Sequence, residues 1–233
     1  MKPNFIKIEE LWRVASNGAT MVKARRAMGL MGGTFNPIHY GHLVAAEAAR
    51  DAFNLEQVIF IPSGQPPHKS GFYVADPEHR YLMTFLAIVS NQRFELSRVE
   101  IDRSGPSYTY DTVAYFHALD PSVDWYFITG ADAILDIVTW RNPDSIFRHA
   151  RLIAASRPGY SLQKIHELER QLGTEPLTRI HPLEVPALAI SSSQIRARLR
   201  EGLSIKYLVP EAVEHYIAKN DVYAVLKGST APS

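Results

Sequence analysis

The sequence contains no cysteine, which excludes disulfide staples, thiolate metal sites and a cysteine nucleophile and fits a reducing compartment. Charge of one sign is not in excess either, since 25 Lys and Arg stand against 24 Asp and Glu. No broad field is available to coat nucleic acid or an anionic membrane, so any bound anion must be met by local groups. Long apolar runs are missing as well: none reaches the roughly 18 residues that a membrane span needs, and the N-terminus lacks the apolar centre of a secretory signal. The expectation is a cytoplasmic protein with no membrane and no nucleic-acid partner.

What is present suits a folded globular protein rather than a disordered or fibrous one. With 233 residues, of which 46% are hydrophobic and 21% charged, the chain can bury one sizeable core. Residues 1–26 read as an appendage that ends in the basic Lys23, Arg25 and Arg26. Met21 and Met28 leave open whether it is a true extension or an over-extended start. Residues 27–233 read as a single domain, without internal repeat or linker.

Within that domain, short apolar runs such as Val58-Ile59-Phe60-Ile61 and Trp125-Tyr126-Phe127-Ile128 alternate with helical periodicity over Leu43 to Phe53 and Tyr110 to Leu119. Asp76-Pro77 supplies an N-cap and a first-turn proline for a helix through Leu82, Phe85 and Val89. Further strands are expected at Gly29 to Met31, Phe94 to Leu96, Leu152 to Ala155 and Ile180 to Val185, and an amphipathic helix over Ser161 to Leu172. Strands too apolar to face water on either side imply an α/β fold: a Rossmann-like, doubly wound parallel sheet with helices on both faces and a small C-terminal helical region.

The densest chemical signal is Gly32-Gly33-Thr34-Phe35-Asn36-Pro37-Ile38-His39-Tyr40-Gly41-His42, set between the first strand and the first helix. Glycines let backbone approach a phosphate, and the helix start offers free amides with partial positive charge. It matches neither G-x-G-x-x-G nor G-x-x-x-x-G-K-[ST], so hydride transfer and ordinary nucleoside triphosphate hydrolysis lose support. His39 and His42 can point the same way and donate to phosphate oxygens as charge builds; the competing readings are structural histidines or a metal pair, and the latter lacks carboxylates to complete a shell. Ser191-Ser192-Ser193 followed by Arg196 forms a capped helix start with a cationic fork one turn in. Between them, Gly64-Gln65-Pro66-Pro67-His68-Lys69 follows a strand and offers a mobile ammonium, although it also reads as a plain surface loop.

These segments resemble the signatures of the nucleotidyltransferase superfamily. The first is similar to G-G-[TS]-F-[DN]-P-x-H-x-G-H, with Asn36 the less frequent of two usual residues, and Ile190 to Arg196 is similar to I-S-S-T-x-I-R with Ser193 in place of threonine. Pro66 to Lys69 resembles the P-P-H-K of bacterial nicotinate-nucleotide adenylyltransferases. The resemblance implies that Gly32, Gly33, Thr34, Phe35, His39, His42, Gly130, Asp132, Ser192, Ser193 and Arg196 bind ATP. Among these His39, His42 and Arg196, together with Lys69, carry the catalysis.

The acceptor is read from two further segments. Gly105 to Thr112 resembles an S-Y-T segment that faces a nicotinate carboxylate, and Gly130-Ala131-Asp132 with Trp140-Arg141 resembles the family's G-x-D and tryptophan block. Asn36, Lys69, Thr109, Trp140 and Arg141 are therefore the implied acceptor-binding residues. Together these imply transfer of AMP from ATP to nicotinate mononucleotide, giving deamido-NAD and pyrophosphate. Magnesium would arrive with ATP, with no metal site of the protein's own. Nicotinamide mononucleotide or phosphopantetheine as acceptor, a silent nucleotide sensor on the same fold, and a homo-oligomer stay open at this point.

Overall fold

The computed structural model describes residues 25–66, 73–156, 173–186 and 188–226. Six strands form one parallel sheet: β1 (Ala27–Gly33), β2 (Val58–Pro62), β3 (Phe94–Leu96), β4 (Asp124–Gly130), β5 (Arg151–Ser156) and β6 (Ile180–Glu184). Their spatial order is β3-β2-β1-β4-β5-β6, so the chain winds outward from β1 in one direction and then returns to wind outward from β4 in the other. Where the direction reverses, the loops after β1 and β4 part and leave a crevice at the strand ends.

The helices are α1 (Tyr40–Ala52), α2 (Pro77–Ile88), α3 (Thr109–Leu119), α4 (Ala131–Leu135), α5 (Pro143–His149), α6 (Thr174–Leu177), α7 (Ser192–Arg200) and α8 (Glu211–Lys219). The expected helix over Ser161 to Leu172, like residues 1–24, lies outside the described residues. Side chains alternate along a strand, so an all-apolar strand must feed two cores. Along β4, Tyr126 and Ile128 join a core with α1, α2, α7 and α8, whereas Trp125 and Phe127 join a core with α3, α4 and α5. The C-terminal helices are sewn into the first core through Ile195, Val213 and Ile217.

Local chemistry sets the helix starts. Asp76 accepts from the Glu78 amide at 2.9 Å ahead of Pro77, and Ser191 and Gln194 form a reciprocal capping box at α7. The first helix begins earlier than its apolar periodicity suggests, at Tyr40 rather than Leu43, because the His39 N–H donates to Nδ1 of His42 at 3.2 Å. That bond satisfies an amide at the helix end and puts His42 in the first turn.

Candidate active site

The loop after β1 is built so that its carbonyls are spoken for. The Ser63 amide donates to the Gly33 carbonyl at 2.9 Å, Arg80 to that of Thr34 at 3.0 Å, Arg196 to that of Asn36 at 2.6 Å and the Ser192 hydroxyl to that of Pro37 at 2.8 Å. The oxygens that would repel a phosphate are thereby bound to protein donors, which is what a backbone anion cradle needs. Packing also explains the glycine pair: a Cβ on Gly32 would lie 3.0 Å from the Phe127 ring, and one on Gly33 would lie 3.0 Å from that of Phe35. Phe35 itself takes a left-handed backbone (φ 47°) and buries its ring edge-on against His42, with centroids 5.1 Å apart.

His39 and His42 stack with centroids 3.7 Å apart. Because Nδ1 of His42 accepts from the His39 backbone, the proton of its neutral ring sits on Nε2. His39 is only 6% exposed, and burial pushes its pKa down to about 4, so it is a neutral imidazole at neutral pH. Both rings line a cavity of about 490 Å³ with Thr129, Gly130, Asp132, Ser156 and Ile190. Gly130 has an ordinary negative φ and a Cβ there would meet nothing within 4 Å. The protein's own packing therefore does not require glycine, and the open space above it belongs to the cavity.

On the other side of Thr129 lies a second cavity of about 270 Å³, lined by Gly32, Gly33, Thr34, Ser63, Thr109 and Trp140 among others. A third of about 250 Å³ continues from it past Tyr108, Thr109, Trp140 and Arg141. Trp140 stands edge-on to Phe127 at 6.4 Å, and the Arg141 guanidinium lies 4.9 Å from the Tyr108 ring centroid. Thr109 opens α3, so its surroundings carry the free amides of a helix start. Of the sequence-predicted residues, His39, His42, Gly130 and Asp132 line the first cavity and Gly32, Gly33, Thr34, Thr109, Trp140 and Arg141 the other two, whereas Phe35, Asn36, Ser192, Ser193 and Arg196 line none of the three.

Three expectations need adjustment. Asn36, expected to touch the acceptor, is 2% exposed, and its carboxamide is used by the protein. It donates to the Tyr73 carbonyl at 2.9 Å and accepts from the Ala75 amide at 3.1 Å and the Tyr223 hydroxyl at 2.9 Å, so it latches the loop rather than reaching a ligand. Ser192 and Arg196, expected to aim at phosphates, spend bonds on the first motif, and Arg196 also donates to Ser193 Oγ at 3.3 Å; two of five guanidinium donors are so used. Lys69 and His68 lie outside the described residues.

Sequence reasoning missed Arg80, which is fully buried. It donates to the carbonyls of Ala75 at 2.8 Å, Thr34 at 3.0 Å, Ser63 at 2.6 Å and Gly64 at 3.1 Å. A signal was present: Arg80, Met83, Thr84, Ala87 and Ile88 are the buried positions of α2, so a cation occupies the core phase of the helix. It also missed Glu100, a buried carboxylate that accepts from Thr112 Oγ1 at 2.6 Å and whose pKa is raised by burial. Among the described residues no group of three or more His, Asp or Glu side chains is placed to hold a metal ion, and no helix is long and apolar enough to cross a membrane.

Comparison with known proteins fits this arrangement. A cytidylyltransferase-like family model matches residues 30–198. A probable nicotinate-nucleotide adenylyltransferase of Moorella thermoacetica is 58% identical over 197 residues, 84% of this chain and 91% of the relative. Its counterpart in Desulfitobacterium hafniense is 51% identical over 86% of this chain and 97% of the relative. Among solved structures, a Plasmodium falciparum nicotinic acid mononucleotide adenylyltransferase complexed with NaAD shares the fold, with a TM-score of 0.68 at 21% identity over 85% of this chain and 98% of that one. With the parallel sheet, the tethered glycine loop and the stacked histidines in place, the chain belongs to the nicotinate-nucleotide adenylyltransferases of the cytidylyltransferase-like family.

Proposed function

We propose that this enzyme joins the AMP part of ATP to the 5′-phosphate of nicotinate mononucleotide, releasing pyrophosphate. The observation that carries the reading is the meeting of two cavities across Thr129 beside the glycine loop. One suits an adenosine, with Asp132 as acceptor for ribose hydroxyls, and the other suits a pyridine ring, with Trp140 offering a face for stacking. An acceptor phosphate oxygen bonds to the α-phosphorus in line, the bond from that phosphorus to the oxygen bridging to the β-phosphorus breaks, and pyrophosphate departs with the electron pair. No protein nucleophile is needed; the work is positioning and hydrogen bonding to the charge that builds.

In this mechanism His42 donates from Nε2 to the α-phosphate, and the neutral His39 ring supports it by stacking. Residues Gly32 to Phe35 cradle phosphate oxygens, Gly130 leaves room for the nucleoside, and Ser193 with the remaining Arg196 donors meets the departing pyrophosphate. Lys69 reaches the incoming phosphate, and Thr109 with Arg141 attends the nicotinate carboxylate. Magnesium would arrive with ATP, held mainly by phosphates and water, and would offset phosphate charge there. We place the reaction in the cytoplasm, consistent with a cysteine-free chain.

The test is pyrophosphate release from ATP and magnesium with nicotinate mononucleotide, nicotinamide mononucleotide or phosphopantetheine. The nicotinate substrate should give the highest kcat/KM, and His42→Ala should lower kcat by about 10²–10³. Preference for another acceptor would overturn the substrate assignment, and ATP binding without turnover would favour a sensor.

A further inference from the structure

Ser63, at the end of β2, is 7% exposed, and its Oγ is buried with no hydrogen-bond partner among the described residues. It lines the acceptor cavity beside Gly33, Thr34 and Glu100. Its backbone, in contrast, is fully engaged: the amide donates to the Gly33 carbonyl at 2.9 Å and the carbonyl accepts from Arg80 at 2.6 Å. A buried hydroxyl without a partner costs free energy, so its placement needs a reason.

The turn that follows is held firmly by other groups. Arg80 holds the Gly64 carbonyl at 3.1 Å, while Ser107 Oγ accepts from the Gly64 amide at 3.0 Å and the Gln65 amide at 3.3 Å. The Ser107 amide closes the ring of bonds onto the Gln65 carbonyl at 2.9 Å. Gly64 packs so closely on Glu100 that a Cβ would lie 2.2 Å from the Glu100 carbonyl oxygen. These bonds fix the backbone of the turn from both sides, and Ser63 is held beside the glycine pair.

We infer that Ser63 is a substrate-contacting residue, its buried hydroxyl kept for a sugar–phosphate oxygen of the acceptor mononucleotide, with Arg80, Ser107 and Glu100 as the positioning residues that hold it there. The inference rests on the acceptor reading above. It carries an unusual signature. A residue that serves only the fold loses stability when truncated, whereas Ser63→Ala removes an unpaired polar atom from the interior.

Ser63→Ala should therefore keep or raise the thermal midpoint while raising KM for nicotinate mononucleotide roughly tenfold and leaving KM for ATP within about twofold. Calorimetric binding of nicotinate mononucleotide should weaken by a similar factor, which reads the contact without turnover. Ser107→Ala, which cuts the clamp, should lower the thermal midpoint and raise the acceptor KM together. An unchanged acceptor KM and affinity in Ser63→Ala would overturn the inference, as would a lowered midpoint with both KM values rising in parallel. If the parent prefers another acceptor, the substrate assignment fails separately, and the same comparison with that acceptor decides on Ser63.

Discussion

Acidification should unfold this protein partly through one histidine. His39 is almost fully buried and its pKa is about 4, against 6.5 in an exposed ring. The folded-state pKa is the depressed one, so between those values the unfolded chain binds a proton that the native ring refuses. Stability from this group is thus fully present above about pH 6.5 and is lost as pH falls towards 4. Going from about pH 7 to about pH 4.5, linkage through a shift of this size removes about 2 kcal/mol. The assay is urea unfolding of the parent and of His39→Asn at both pH values, the variant having no titrating ring there. The parent should lose about 2 kcal/mol more than the variant over this interval. Parallel losses would refute the burial argument and with it the view that His39 works as a neutral ring.

Other consequences follow from single atoms. Gly64→Ala forces a Cβ against the Glu100 carbonyl at 2.2 Å, so the clamped turn must shift; a cost of about 1–3 kcal/mol in chemical denaturation is expected, with acceptor binding weakened. Gly130→Val meets no protein atom within 4 Å of its Cβ, so the thermal midpoint should hold while KM for ATP rises at least tenfold, because the branched side chain fills the larger cavity. Arg196→Lys keeps the charge but loses the planar fork that spans the Asn36 carbonyl and Ser193 Oγ; kcat/KM for ATP should fall about 10–100-fold. Equal kinetics for the lysine variant would mean that charge alone matters there.

The centre of the sheet was legible because strands such as β2 and β4 are apolar on both faces: the run Trp125 to Ile128 suits a strand buried twice over, and the structure feeds two cores from it. The histidine pair, the glycine pair and the serine-capped helix stood out in the sequence because glycines and free helix-start amides placed after a strand suit an anion. The clamps were hidden. Arg80 contacts carbonyls from Thr34 to Ala75, and a bond from a side chain to a distant carbonyl leaves no trace in the residue type of its acceptor. The bonds of Asn36 were hidden for the same reason, since the motif marks the position but not that Tyr223, 187 residues on, would take its carboxamide.

Two cations approach the glycine loop from opposite elements, Arg80 from α2 and Arg196 from α7. Both are held by backbone carbonyls, and among the described residues neither forms an ion pair with a carboxylate. Burial lowers the pKa of both, yet an arginine remains protonated at neutral pH. Carbonyl dipoles satisfy the N–H groups, and for Arg80 the carboxylates of Asp76 and Glu100 act at longer range without a contact ion pair, so in a partly buried setting part of the positive charge stays weakly screened. A triphosphate would supply further counter-charge in the mechanism proposed above. In that mechanism the neutral His39 ring backs His42 at the reacting phosphate while the arginines behind the loop supply the field, so positioning and charge would come from different residues. If the nucleotide phosphates sit at this loop, they offset both charges, and ATP should then stabilise the fold by mass action, with a smaller gain in Arg196→Lys measured as the shift in thermal midpoint.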